Sequence, residues 1–158
     1  MPKNDRETTS EPFRLARFLP HRLEVATDQV CRTLAERYNH SFNLTLSEWR
    51  LLAVVAEHDT SSPTAAGQHA AMDKVKVSRA AHSLVTKGLL RQTHDPKDGR
   101  GRLLRLTRKG TTAHAGMGRL AMKLEAEIFD GLTRAESLAL DKILTKINNK
   151  IEMNGLAG

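Results

Sequence analysis

The sequence holds a single cysteine, Cys31, among 158 residues, so no disulfide can form within the chain. It has no apolar run long enough to span a bilayer. Met1 to Ser10 mixes charge and polarity and lacks the apolar stretch of a secretory signal. Residues 1–12 therefore read as a disordered tail. These absences point to a reducing cytoplasm and to a protein with no membrane partner. Catalytic signatures are missing too: there is no nucleophile elbow, no phosphate loop, no HExxH helix and no paired His/Asp/Ser arrangement. The chain is not expected to be an enzyme, and no cofactor is called for. Its seven histidines (His21, His40, His58, His69, His82, His94 and His114) form no close i, i+4 pair with one another or with Cys31. The tight ligand spacing of structural zinc sites is absent, and no metal site is expected.

What is present is a soluble, globular composition, 39% hydrophobic and 27% charged, long enough for a real core. The net charge is +7, and its distribution is uneven. Between Ser62 and Gly110 eleven Lys and Arg face only three acids, Asp73, Asp95 and Asp98. The rest of the chain is close to neutral. A basic excess confined to one stretch suits a polyanionic partner.

Hydrophobic spacing divides the chain. Leu15, Leu19, Leu23, Ala26, Val30 and Leu34 recur every three or four residues and predict a first helix, with Pro20 suited to a first turn or a kink. Thr45-Leu46-Ser47-Glu48 has capping-box spacing and opens a second helix, which the polar stretch His58 to Pro63 ends. A short helix follows from Pro63 or Thr64 to Ala71. Asp73 is a good N-cap for the next one, Lys74 to Lys87, and Gly88 stops it. The period then changes. Leu89 to His94 and Arg102 to Thr107 read as two strands around the turn-rich Asp95–Gly101, a hairpin. A long helix from Arg108 to Phe129 carries Ala113, Met117, Leu120, Leu124 and Ile128. Thr133-Arg134-Ala135-Glu136 is a second capping box, opening a last helix through Leu140, Ile143, Leu144, Ile147 and Ile151.

Two short helices, a tight turn and a hairpin make a winged helix-turn-helix, so the fold class is mainly α with a small β-hairpin wing. In this arrangement the second helix enters the major groove of double-stranded DNA. At about 100° per residue, Val77, Ala80, Ala81 and Leu84 fall on one side, suited to packing. Val75, Arg79, His82, Ser83 and Thr86 fall opposite, flanked by Lys76 and Ser78. That face carries donors, cations and a methyl-bearing side chain, the groups that read base edges and phosphates. Arg79 is the first choice for a guanine, Val75 for a thymine methyl, and Lys74 and Lys76 for phosphates. On the hairpin Lys97, Arg100 and Arg102 join the set. Arg100 at the tip, between Gly99 and Gly101, suits a narrow A·T-rich minor groove, with Asp98 nearby to brace an arginine.

The run Met72-Asp73-Lys74-Val75-Lys76-Val77-Ser78-Arg79-Ala80, then Lys87-Gly88-Leu89-Leu90, Asp95-Pro96-Lys97-Asp98-Gly99-Arg100 and Leu106-Thr107-Arg108-Lys109-Gly110, resembles the MarR (multiple antibiotic resistance regulator) family. Leu46 to Leu52 is similar to the helix that precedes the reading unit in that family. The likeness extends from about Leu15 to Ile151. The chain departs from the pattern at Ala81, where a larger apolar residue is common, and at Gly99, where a second arginine is common. The resemblance implies a homodimer bound to a pseudo-palindromic operator, with the helices of 13–44 and 111–158 forming the dimerisation region and 45–110 the DNA-binding region. It implies a repressor, released by a small aromatic effector such as an aromatic acid or its coenzyme A thioester. His21, Arg22, Trp49 and Arg50 are the effector candidates: an arginine can pair with a carboxylate, and Trp49, the only Trp, can stack on a ring. Two alternatives remain: an architectural DNA-binding protein without effector, and a redox-responsive regulator acting through Cys31, as some relatives sense peroxide through a first-helix cysteine.

Overall fold

A computed structural model of the chain describes residues 12–98 and 101–155. The chain divides into two compact units, Met1–Leu46 and Ser47–Gly158.

In the first unit a single 3-10 turn, Leu15–Arg17, precedes helix α1, Leu19–Phe42. The apolar stripe thus begins one turn before the α-helix does. The reason is Pro20, which sits in the first turn of α1 where its missing N–H goes unused. At the other end Asn43 takes the left-handed conformation (φ 53°) and its N–H closes on the Asn39 carbonyl. Leu15, Leu19 and Leu23 are exposed, while Val30 and Leu34 are half-buried.

The second unit carries the two short helices and the hairpin. Helix α2, Leu46–Glu57, buries Leu51, Leu52, Val54 and Val55. Helix α3, Pro63–His69, starts with Ser62, whose Oγ accepts from the Ala65 N–H at 3.2 Å. Helix α4, Lys74–Thr86, buries Val77, Ala80, Ala81 and Leu84, the packing side expected from the sequence. Strands β1, Leu90–His94, and β2, Arg102–Leu106, pair antiparallel with Leu90 opposite Leu106 and His94 opposite Arg102. Ser61, just before α3, exchanges backbone hydrogen bonds with Leu104 on the far edge of β2. That bridge ties the wing to the start of the two-helix unit. Leu89, Leu90 and Leu104 are buried beneath the hairpin.

Helix α5, Arg108–Ile128, follows at once, and the sequence Leu106-Thr107-Arg108-Lys109-Gly110 builds its junction with α4. Thr107 caps α5, its Oγ1 accepting from the Gly110 N–H at 3.0 Å while donating to the Gly88 carbonyl at 2.6 Å. Lys109 Nζ donates to the Lys87 carbonyl at 2.8 Å, satisfying a free group at the end of α4. Gly110 is buried, and a Cβ there would overlap the Leu89 carbonyl oxygen. Helix α6, Arg134–Met153, opens with the expected capping box: the Thr133 hydroxyl accepts from the Glu136 N–H, and the Glu136 carboxylate accepts from the Thr133 N–H at 2.8 Å. No residue of α6 is buried.

Candidate nucleic-acid interface

The exposed face of α4 is set by one cap and one packing stripe. Asp73 Oδ1 accepts from the Lys76 N–H at 2.8 Å and starts α4. That backbone bond, helped by the Lys76 ammonium, holds the Asp73 carboxyl below its usual range. With Val77, Ala80, Ala81 and Leu84 turned inward, Lys74, Val75, Lys76, Ser78, Arg79 and His82 are all exposed, and Ser83 is half-buried. Val75 is 59% exposed, an apolar side chain presented to solvent among cations. Such a group suits a thymine methyl better than it suits water. Lys76 lies 3.5 Å from Asp73 Oδ2, but both side chains are well exposed, so the pair is weak and leaves the ammonium available to a phosphate. Lys74, Ser78 and His82 also border a groove of about 440 Å³ closed by Pro63 and Gln92.

On the wing, Lys97 and Arg102 are exposed. The turn is closed by the Lys97 N–H on Asp95 Oδ1 at 2.8 Å and by the Asp95 N–H on the Gly101 carbonyl at 2.9 Å. Arg100, the expected minor-groove residue, lies with Gly99 outside the described residues, as does the tail 1–11.

Charge placement reaches beyond the expected set. Glu48 of α2 is buried (4% exposed), and both its carboxylate oxygens accept from Lys87 Nζ, at 2.9 and 3.0 Å. Thirty-nine positions separate the two residues, and α2 is thereby tied to the C-terminal end of α4. Capping-box spacing had singled out Glu48 for its own helix end, and nothing local signals its partner.

The effector candidates fall in separate places. His21 and Arg22 line a shallow pocket of about 300 Å³ on α1, with His21 Nδ1 3.7 Å from Glu24. Trp49 and Arg50 are half-buried on α2. Cys31 is half-buried in the middle of α1. His58 and His69, distant in sequence, bring their rings to 4.5 Å between centroids. Among the described residues no group of three or more His, Cys, Asp or Glu side chains is arranged to hold a metal ion, and no helix is long and apolar enough to cross a membrane.

The fold has known counterparts. Residues 42–101 match the MarR family model. The HTH-type transcriptional repressor IacR of Pseudomonas putida is 26% identical over 117 residues, 74% of this chain and 70% of the relative. BpsR of Bordetella bronchiseptica, whose DNA binding is regulated by 6-hydroxynicotinic acid, superposes with a TM-score of 0.81 at 25% identity, over 87% of this chain and 98% of BpsR. A mutant MarR of Escherichia coli complexed with operator DNA shares the fold, with a TM-score of 0.77 at 24% identity over 87% of this chain and 99% of its own. The matched segment 42–101 contains α2, α3, α4 and the first strand of the wing, the parts that create the exposed cationic face. The chain thus resembles the MarR-family winged helix-turn-helix transcriptional regulators, in sequence over 42–101 and in fold over most of its length.

Proposed function

We propose that this regulator is a cytoplasmic homodimeric repressor that holds a pseudo-palindromic operator and leaves it when a small aromatic acid, or its coenzyme A thioester, binds. The observation that carries the DNA half is the outer face of α4: five polar or cationic side chains and Val75, all exposed on a helix whose opposite side is fully buried. Two such helices on a twofold axis would each take one half-site. Region 45–110 is the DNA-binding part. The helices of 13–44 and 111–158 are the dimerisation part, supported by the apolar rows they leave uncovered. The effector half is supported by the regulation of BpsR by an aromatic acid. His21, Arg22, Trp49 and Arg50 are its candidate contacts.

A gel-shift titration tests the first half. Arg79→Ala should cost about 1–3 kcal/mol and relax base preference at one position of each half-site. Arg100→Ala should weaken binding with a smaller loss of specificity, most clearly where the flanks are A·T-rich. Unchanged affinity in both would reject this docking. The operator should be preferred over random DNA by about 10³-fold or more; a flat preference would favour an architectural role instead. For the second half, Trp49 fluorescence should respond saturably to one of a panel of aromatic acids and thioesters.

A further inference from the structure

We propose that the wing carries an oxyanion-binding site, built from Arg91, Arg105 and His114, on the face turned away from the reading helix. The inference does not depend on the effector reading above. Arg91 of β1 and Arg105 of β2 are direct partners in the antiparallel register. Side chains so placed have Cβ atoms about 4.5–5.5 Å apart, and like charges there destabilise the pair. Strand alternation puts both on the face opposite Leu90 and Gln92. Leu90 is buried, and Gln92 borders the groove beside α4.

The two arginines open onto a cavity of about 610 Å³ that Thr60, Thr111 and His114 also line. Thr111 and His114 come from the start of α5, and Thr60 from the turn after α2. The polar lining is rich in donors: two guanidinium forks, two hydroxyls and an imidazole. Asp59 is the one carboxylate among the lining residues. Among the described residues neither guanidinium has an ion-pair partner. A phosphate or carboxylate seated between the forks would accept bidentate bonds from both and remove the cross-strand repulsion. The oxyanion has two possible sources, a small free molecule or a phosphate of bound DNA, and one pair of measurements separates them.

The first measurement is thermal unfolding and calorimetric titration of the full chain with inorganic phosphate and with pyrophosphate, against chloride at fixed ionic strength. The wild type should gain several degrees saturably, and Arg105→Gln should lose that gain. Arg91→Glu sets a carboxylate opposite Arg105. It should melt higher than the wild type without phosphate and ignore added phosphate, a result that a merely structural arginine would not produce. The second measurement is the salt dependence of binding to a duplex of arbitrary sequence. If DNA supplies the oxyanion, the free anions do nothing and Arg105→Gln lowers the log–log slope by about one. Arg119→Gln, an exposed arginine of α5 outside the cavity, controls for net charge and should leave the slope unchanged. A wild type unresponsive to both anions, with the slope unchanged in Arg105→Gln, overturns the proposal.

Discussion

Asp73 decides where α4 begins. Its carboxylate accepts the Lys76 N–H, and that bond lowers its pKa. A carboxyl with a depressed folded-state pKa stabilises the fold above the ordinary carboxylate value, about 3.9, and that contribution fades as the pH falls through the lower folded value. Asp73→Asn keeps a good cap but removes the titration. Its thermal stability should track the wild type at pH 7 and fall less steeply below about pH 4. Gly110 is constrained by space rather than by charge, since any Cβ would meet the Leu89 carbonyl. Gly110→Ala should lose more than about 2 kcal/mol in denaturant unfolding, because backbone must move to admit the methyl. Both residues stand inside the motifs quoted from the sequence. The cap was legible there, because capping is local. The clash at Gly110 was not, because Leu89 lies on another part of the chain.

At the scale of elements, α4 is held at both ends. Asp73 holds its start, and three contacts hold its end: Lys109 on the Lys87 carbonyl, Thr107 on the Gly88 carbonyl, and the Glu48–Lys87 pair. The last joins α4 to α2, the helix that also carries Trp49 and Arg50. Removing Lys87 would leave a carboxylate that is 5% exposed without its ammonium. The lysine end is about a third exposed, so part of the cost is relieved by water. Lys87→Met should therefore destabilise by about 1–3 kcal/mol. The double variant Lys87→Met, Glu48→Leu should recover part of that loss, measured by urea unfolding. Failure of the second change to recover anything would mean that the pair does not hold α2 to α4. The helices, the hairpin and the second capping box were all readable from spacing. Pro20 in the first turn of α1 was readable too, whereas the separate 3-10 turn Leu15–Arg17 was not, because the apolar stripe runs through both.

Across the whole molecule, two kinds of surface contrast. The segment from Ser62 to Gly110 holds the excess positive charge, while α6 holds an uncovered apolar row. Ile143, Ile147 and Ile151 are 52%, 36% and 37% exposed along one helix, and Leu138 and Leu144 lie beside them. Apolar rows of that length on an isolated chain call for a covering surface. In the proposed homodimer a second copy supplies it. Ile147→Asp should shift the protein to monomer in sedimentation equilibrium while its helical circular dichroism stays close to the wild type. It should also lose most of its operator affinity, since two half-sites can be held together only by linked reading helices. A variant that stays dimeric would place the interface elsewhere.

The sequence by itself determined what depends on neighbours along the chain: the helical faces, the caps at Asp73 and Thr133, the hairpin, the concentration of positive charge, and hence the side of α4 that is left exposed. Spacing, capping and turn chemistry act over a few residues, so they are written in order. Only the tertiary structure decided which distant groups meet. It set Lys87 against Glu48, His58 against His69, and Arg91 opposite Arg105 with His114 and Thr111 closing the cavity. Those meetings depend on how α2, the wing and α5 pack, and packing is a property of the assembled core rather than of any local run of residues.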